Sequence, residues 1–501
     1  MIGGVLSKLS HNAVWNLLGS VLPMAAGLIA IPLLIHTLGT ERFGLLTLVW
    51  SILGYFSLFD MGIGRATTKY VALYWSRQRL LSTSRLVRAA LLMLFVFGSI
   101  AALLLMASAG IITRTVHLSA SLSREEFYAS LMIMAATLPL VMLTAGLRGT
   151  LEGQSRFRLL NVIKIPASLT SFVVPLLLLP FTHRVDQITL ALAATRLLVL
   201  LAHAWVVRSV LWAAPWRWRR ADRMLLRRLM HYGGWVFVAT GVGTLMSMGY
   251  LDRLAIGWLR AVADLAYYAT PMEIILRLLI IPGAIASAMF PYLAAAGQSV
   301  DTLRTTCARS LTYIGILCFP FVILALSLGR DALGVWIGPA FAGQSAVVLD
   351  LLMLGVFFNA LAHVPYTLLQ ATGHPRPTAL RHVWELPFYV PVMLALVYYY
   401  GVNGAAFAWM AWAIIDMVLL FWLARREMGY AILASGGSAR PLLELAGFAI
   451  MAAVLAHLPL PLRISGAGLL LAGFVIYVWK VHLSEVERGK IRTMYRTRPI
   501  S

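Results

Sequence analysis

The sequence predicts an all-α integral membrane protein with about fourteen transmembrane helices, and three observations carry that prediction. Fourteen apolar stretches along the 501 residues are each long enough to cross a bilayer, whose ~30 Å hydrocarbon core takes about 20 apolar residues in a helix. Some 60% of the residues are hydrophobic and only 12% charged, where a soluble protein carries about a quarter. Lys and Arg also fall on alternate connections. With residue 1 in the cytoplasm, 29 of the 41 basic residues lie on the cytoplasmic side, on inner connections or at the inner ends of spans, 7 lie outside and 5 deeper within spans. Cationic loops resist translocation, so this bias predicts a polytopic protein of the inner, cytoplasmic membrane type with both ends inside.

Spans 1 to 6 are expected at 13–38, 43–74, 86–112, 127–147, 159–181 and 187–207. Only Lys8 precedes span 1, which is too long for a signal-peptide core and lacks a small-residue cleavage site after it, so it should stay in the mature protein. The inner connections carry Arg77, Arg79, Arg85 and Arg88, then Arg148, Arg156, Arg158 and Lys164. Next comes a cluster from Arg208 to Arg228 with Trp212, Trp216 and Trp218, which suits an interfacial segment on the cytoplasmic face. Spans 7 to 12 follow at 230–257, 265–294, 305–329, 345–370, 380–400 and 402–424. A lighter basic connection, Arg425 to Arg440, leads to spans 13 and 14 at 441–458 and 464–481, then to a basic tail. The domain plan is therefore a six-helix lobe (1–212), a basic cytoplasmic linker (213–229), a second six-helix lobe (230–425), and two extra helices with the tail (426–501).

Gly62 and Gly64 in span 2, Gly241, Gly243 and Gly249 in span 7, and Pro387 and Pro391 in span 11 soften those helices. They serve either close helix packing or bending of the kind seen in discontinuous transporter helices. The corner Gly39-Thr-Glu-Arg-Phe-Gly after span 1 is echoed by Val262-Ala-Asp-Leu-Ala-Tyr-Tyr after span 7. With six spans per half, such repeats run parallel, about an axis along the membrane normal.

The formal charge of +22 and pI near 10.5 invite a nucleic-acid reading. That class is excluded because the charge is parcelled into short loops between spans, where it fixes topology and meets anionic lipid headgroups. Cys307 and Cys318 lie eleven residues apart in one expected helix, about 16 Å of rise and too far for a disulfide. No CxxC, His–Cys cluster or HExxH occurs, so no metal site is expected, and no GxxxxGK[ST] loop is there to hydrolyse nucleotide. No cofactor is expected; a proton or sodium gradient is the energy source left to consider.

Several motifs carry a resemblance. They are Asn16-Leu-Leu-Gly19, Pro32-Leu-Leu, Leu38-Gly39-Thr-Glu-Arg-Phe43-Gly44 and Tyr55-Phe-Ser-Leu-Phe-Asp60-Met-Gly62-Ile-Gly64. Later come Leu251-Asp-Arg253-Leu-Ala-Ile-Gly257, Phe290-Pro291, Gln370-Ala-Thr-Gly373-His-Pro-Arg376, His382-Val-Trp-Glu385-Leu-Pro387 and Gly401-Val-Asn-Gly404-Ala-Ala406. Together they resemble bacterial oligosaccharide flippases, the polysaccharide-transport branch of the multidrug/oligosaccharidyl-lipid/polysaccharide exporter superfamily. The resemblance spans roughly residues 10–425. It implies two six-helix lobes around a central cavity that opens alternately to each side. It also implies a polyprenyl-diphosphate-linked glycan, such as an undecaprenyl-diphosphate-linked one, as cargo, and glycan polymerase or assembly proteins as partners.

Charges within spans are the candidate site, since an ionised group in hydrocarbon is costly and usually paired or cavity-facing. Arg196 lies roughly 14 Å inward along span 6 and Arg277 roughly 18 Å inward along span 8. Glu273 precedes Arg277 by four residues, on the same helix face. This pair is either a structural salt bridge or part of a cavity lining. A diphosphate leaving water demands charge-assisted, preferably bidentate donors, which favours Arg over Lys. Arg277 and Arg196 are thus the first substrate-binding candidates, with Glu273 beside them.

Arg65 and Lys69, near the inner end of span 2, either snorkel to headgroups or capture the diphosphate at the inner mouth. Arg253, after Asp252 near the outer end of span 7, is expected to form an interfacial pair and is otherwise a site residue. Asp416, about 20 Å inside span 12, is a candidate coupling carboxylate because its charged form is costly there. A helix–helix hydrogen bond is its structural alternative. Glu273 and Asp60 are secondary coupling candidates. Two other classes compete. A cation-coupled multidrug or small-molecule exporter of the same plan should favour an acidic cavity, and here the deep candidates are arginines. A glycan polymerase or ligase needs a large outside loop, whereas the longest here are about fourteen residues, so a transporter and not an enzyme is expected.

Overall fold

The computed structural model describes residues 2–58, 62–116, 118, 122–213, 220–237, 249–294, 300–429, 439–482, 485 and 488. Every regular element among them is helical. In chain order these are α1 (Ile2–Leu58), α2 (Ile63–Ser76), α3 (Leu80–Thr115), α4 (Arg124–Gly153), α5 (Phe157–Leu178), α6 (Val185–Leu211) and α7 (Arg220–Val236). Then come α8 (Tyr250–Leu259), α9 (Asp264–Ile275), a 3-10 turn (Leu276–Leu279), α10 (Ile280–Ala294), α11 (Val300–Trp336) and α12 (Pro339–Ala371). The last are α13 (Pro375–Met428), α14 (Ala439–Leu455), α15 (Leu460–Tyr477) and a π turn (Val478–His482). Among the described residues, ten helical segments are long and apolar enough to cross a membrane. The protein is an all-α membrane protein, as the apolar runs predict.

Two of these helices are too long for one crossing. The 54 residues of α13 would reach about 80 Å if straight, far beyond a bilayer. The chain breaks instead at Gly401, whose φ of 61° and ψ of −137° lie outside the helical region and which only glycine adopts without strain. Gly39, with φ 79°, divides α1 in the same way. Both breaks fall where the sequence predicts an outside corner.

Three expected spans are less regular than hydropathy suggests. Span 2, expected over 43–74 with Gly62 and Gly64 softening it, is divided: α2 begins afresh after Gly62, which is left-handed at φ 67°. Span 7, expected over 230–257, is formed in its described parts by α7 and α8, and left-handed Gly249 caps α8. Gly241, Gly243, Trp216 and Trp218 lie outside the described residues. Span 8 narrows to the 3-10 turn between α9 and α10. Pro282 explains that change: it has no N–H to give the Leu278 carbonyl four residues back, so the turn before it tightens.

The helices form two compact units, one of residues 1–270 with 379–408, the other of 271–378 with 409–501. In the first, Ile63, Val71, Leu86, Leu94, Leu147, Leu151 and Leu229 build a buried core from α2, α3, α4 and α7. Backbones approach closely there. A methyl group at Gly98 would lie 2.7 Å from Pro139 Cα, and one at Gly149 would lie 2.4 Å from the Gly64 carbonyl oxygen. Without a hydrophobic drive between helices in lipid, such small-residue contacts supply the dispersion energy that joins them.

At the end of this unit that the sequence places outside, Arg42 forks onto Glu126 at 3.2 and 3.3 Å. Glu126 also accepts from the Val185 N–H at 2.7 Å, and its own N–H is capped by Ser123. One buried carboxylate thus ties the corner after Gly39 to the starts of α4 and α6. The second unit is held by an aromatic chain: the Phe319 ring stands 5.3 Å from Phe357 and 5.4 Å from Phe474. Arg463 pairs with Asp331 at 2.7 Å, and Tyr477 donates to Glu444, so the last two helices are packed against α11 rather than appended.

Candidate functional site

Arg277 sits in the 3-10 turn, and its guanidinium lies 3.6 Å from Glu273 of α9. Both are about one-third exposed, at 37% and 31%. A pair this open is screened and worth little as a fold-stabilising contact, and it leaves guanidinium donors facing outward. The proline-tightened turn swings Arg277 off the regular helical register, a feature that often marks a functional bend.

Arg196 lies in the middle of α6 in the other unit, half-buried, and among the described residues it makes no ion pair or hydrogen bond. A guanidinium so deep in an apolar helix keeps its full demand for an anionic partner. Arg65 and Lys69 share the exposed face of α2. The Lys69 ammonium rests 3.8 Å over the Tyr232 ring of α7 and 5.6 Å from Tyr70, so aromatic quadrupoles fix its position. Of the five cations expected deep within spans, these four keep part of their side chains accessible.

Arg253 differs. Asp252 is 0% exposed and Arg253 2%, so these neighbours are more enclosed than an interfacial pair suggests. Tyr268 of α9 donates to Asp252 at 2.7 Å, and Tyr389 of α13 donates to its other oxygen. Arg253 donates to Ser51 of α1 at 3.2 Å. Consecutive residues of α8 therefore reach to both sides, and Arg253 has no free surface for a substrate in this conformation. Tyr268, Tyr389 and Ser51 were not anticipated, because hydrogen-bond partners 16, 137 and 202 residues distant leave no local pattern. An acid beside a base in a span was the available signal.

Asp416, deep in α13, is 3% exposed and is engaged rather than free. Asp60 lies outside the described residues. Glu385 pairs with His382 at 3.1 Å and Arg381 at 3.8 Å. All three side chains are less than a tenth exposed and form one local cluster.

Against known proteins, residues 9–296 match the model of the family described as "Polysaccharide biosynthesis protein". The chain is 30% identical over 421 residues to a Shigella flexneri protein named "Putative O-antigen transporter", covering 83% of this chain and 97% of that protein. Its fold is similar to that of a solved lipid II flippase, MurJ, in an inward closed conformation. The TM-score is 0.70, with 11% identity over 94% of this chain and 99% of the other. A multidrug resistance MATE family transporter in an inward-facing conformation matches with TM-score 0.68 and 14% identity, over 82% and 98% of the two chains.

Proposed function

The chain belongs to the polysaccharide biosynthesis protein family of membrane transporters, and from that premise we propose that it is a lipid-linked oligosaccharide flippase. It carries a polyprenyl-diphosphate-linked oligosaccharide, or a related polysaccharide precursor, from the cytoplasmic to the periplasmic leaflet by alternating access. The observation that carries this reading is the 30% identity along nearly the whole length of the Shigella transporter. The likeness therefore covers nearly the whole relative rather than one shared module.

The charges support the same cargo. A diphosphate crossing hydrocarbon must exchange its water for fixed donors. Arg277 and Arg196 are deep, accessible and differently placed, and Arg65 and Lys69 supply a cationic entrance on α2. A drug-cation exporter of the same plan would favour an acidic cavity, whereas the deep candidates here are arginines. The asymmetry of loop cations favours an orientation with both termini inside. Reporter fusions after Arg85 and Arg228 should then read cytoplasmic, and one after Ala340 periplasmic.

The direct test is deletion in the native host. Lipid-linked glycan should accumulate on the inner leaflet, and export should return with the wild-type chain. If deletion leaves the inner-leaflet pool and surface glycan unchanged, the assignment is wrong.

A further inference from the structure

We propose that the exposed face of α7 is a docking site for anionic phospholipid headgroups, in the leaflet that the loop cations mark as inner, whatever cargo the chain moves. The helix has two faces. Leu225, Leu226, Leu229 and Tyr232 pack into the core shared with α2, α3 and α4, and Leu229 is wholly buried. Arg223, Arg227 and Arg228 stand exposed on the other side, with Met224 among them and Met230 at the edge. These positions recur at the helical period, so they form one stripe. From Arg223 to Val236 the helix carries no acid. Among the described residues, none of the three arginines makes an ion pair, hydrogen bond or ring contact.

The contacts of α7 set the depth of that stripe. A methyl group at Gly62 would lie 2.2 Å from the Gly233 carbonyl oxygen, which puts the far end of α7 against the start of α2. Tyr232 then meets Lys69 further along α2, so going back along α7 leads toward the end of α2 at Ser76. Arg223 precedes Gly233 by ten residues, about 15 Å along the axis, and α2 extends about 21 Å from Gly62 to Ser76. The arginines therefore stand level with the inner end of span 2, where hydrocarbon gives way to headgroups.

A stripe of guanidinium and thioether suits neither bulk water nor hydrocarbon. It matches the headgroup layer, which offers phosphates to the arginines and the acyl boundary to the methionines. Guanidinium sheds water readily and meets phosphate through a planar fork. Three such forks at one depth, with no acid to satisfy them, complement the phosphates of an anionic leaflet. Docking has a consequence inside the fold. It presses α7 onto α2, and the Tyr232 ring that steadies Lys69 belongs to the same helix. A lipid held on one face of α7 thereby fixes the position of a cation on α2.

The test uses the full chain with Cys307→Ser and Cys318→Ser, and Met224→Cys carrying a fluorophore within the stripe. It is reconstituted in phosphatidylcholine vesicles holding a minor fraction of spin-labelled phosphatidylglycerol or spin-labelled phosphatidylcholine. Quenching reports which lipid sits on α7. Phosphatidylglycerol should be preferred about fivefold, the scale of one basic residue beside an anionic surface, and the preference should shrink as salt rises. Arg223→Gln, Arg227→Gln and Arg228→Gln together should abolish it, while Lys at the same three positions should keep it. Arg77→Gln, Arg79→Gln and Arg158→Gln together, equally exposed but off α7, should leave it in place. Met230→Cys takes over as reporter if Met224→Cys does not accumulate. Equal quenching by both lipids overturns the docking site and leaves the stripe to an acidic protein partner. Loss of the preference in the Arg77, Arg79 and Arg158 variant also overturns it, because total charge and not α7 is then the cause.

Discussion

Arg253 and Arg277 occupy comparable stretches of apolar helix, and each has a carboxylate close by in sequence, yet they are opposite kinds of charge. Arg253 is 2% exposed, adjoins an Asp252 that two tyrosines hold, and reaches across to Ser51. Arg277 is 37% exposed, on a proline-tightened turn, with Glu273 at 3.6 Å. One is consumed by the fold and the other is offered by it. Depth in a membrane marks a charge as expensive; only its neighbours say whether it is spent on helices or kept for a ligand.

The largest effects should separate these two roles. Breaking a buried pair by removing one partner leaves an uncompensated charge, a cost of about 3–5 kcal/mol. Asp252→Ala and Arg253→Ala should therefore accumulate poorly and lose their cooperative melt in detergent. Tyr389→Phe, which removes one donor from Asp252, should cost about 1 kcal/mol and remain folded. Wild-type melting of both alanine variants would remove the distinction drawn between the two arginines.

Arg277→Ala should do the reverse. Its exposed pair contributes about 0–1 kcal/mol to folding, so thermal stability should hold. Glycan export in a deletion strain should fall about tenfold or more, because a charge-assisted contact to phosphate is worth roughly 1.5–3 kcal/mol. Arg277→Lys should recover only part, having lost the bidentate fork. Arg196→Ala should behave likewise. Full export by both alanine variants at normal expression would show that the diphosphate is met elsewhere.

A smaller effect is expected at the coupling step. Asp416 is buried in α13 and engaged with its neighbours, a setting in which gain or loss of a proton rearranges contacts. A proton shifts a conformational equilibrium only if the two states bind it differently. Transport in reconstituted vesicles should accelerate with an imposed proton gradient, and Asp416→Asn should remove that acceleration while keeping the basal rate. Equal wild-type rates with and without proton or sodium gradients would point to movement driven by removal of product outside.

How much of this was legible beforehand follows from what sequence patterns encode. Helix class and corners were readable because apolar runs and loop cations act locally, residue by residue. The echo of Gly39-Thr-Glu-Arg-Phe-Gly with Val262-Ala-Asp-Leu-Ala-Tyr-Tyr marked the two corners, though not that Gly44 would rest on Val262. Hydropathy averages over a window, so the bounds of span 2 run straight through Gly62; the glycine itself marks a soft point, but not that its backbone angle restarts the helix there. Pro282 was visible but its effect falls four residues earlier, on the turn that carries Arg277. The tyrosines of Asp252 were hidden because an aromatic in a span carries no mark of which distant carboxylate it serves.

The smallest expected effect concerns Lys69, which stands between the two extremes. It is exposed like Arg277, yet its ammonium is steadied 3.8 Å over Tyr232. A cation held by a ring rather than by a carboxylate keeps its charge available while losing the freedom to wander. If that arrangement serves to present Lys69 to a diphosphate, Tyr232→Leu should lower export about two- to fivefold, matching the ~0.5–1 kcal/mol of an exposed cation–π contact. Lys69→Arg should stay active, since guanidinium also stacks on aromatic rings, and Lys69→Gln should fall below Tyr232→Leu because it removes the charge itself. The ordering of these three variants is the informative quantity. If all three export at the wild-type rate, Lys69 belongs with the headgroup-facing cations that fix topology, and the cationic entrance narrows to Arg65.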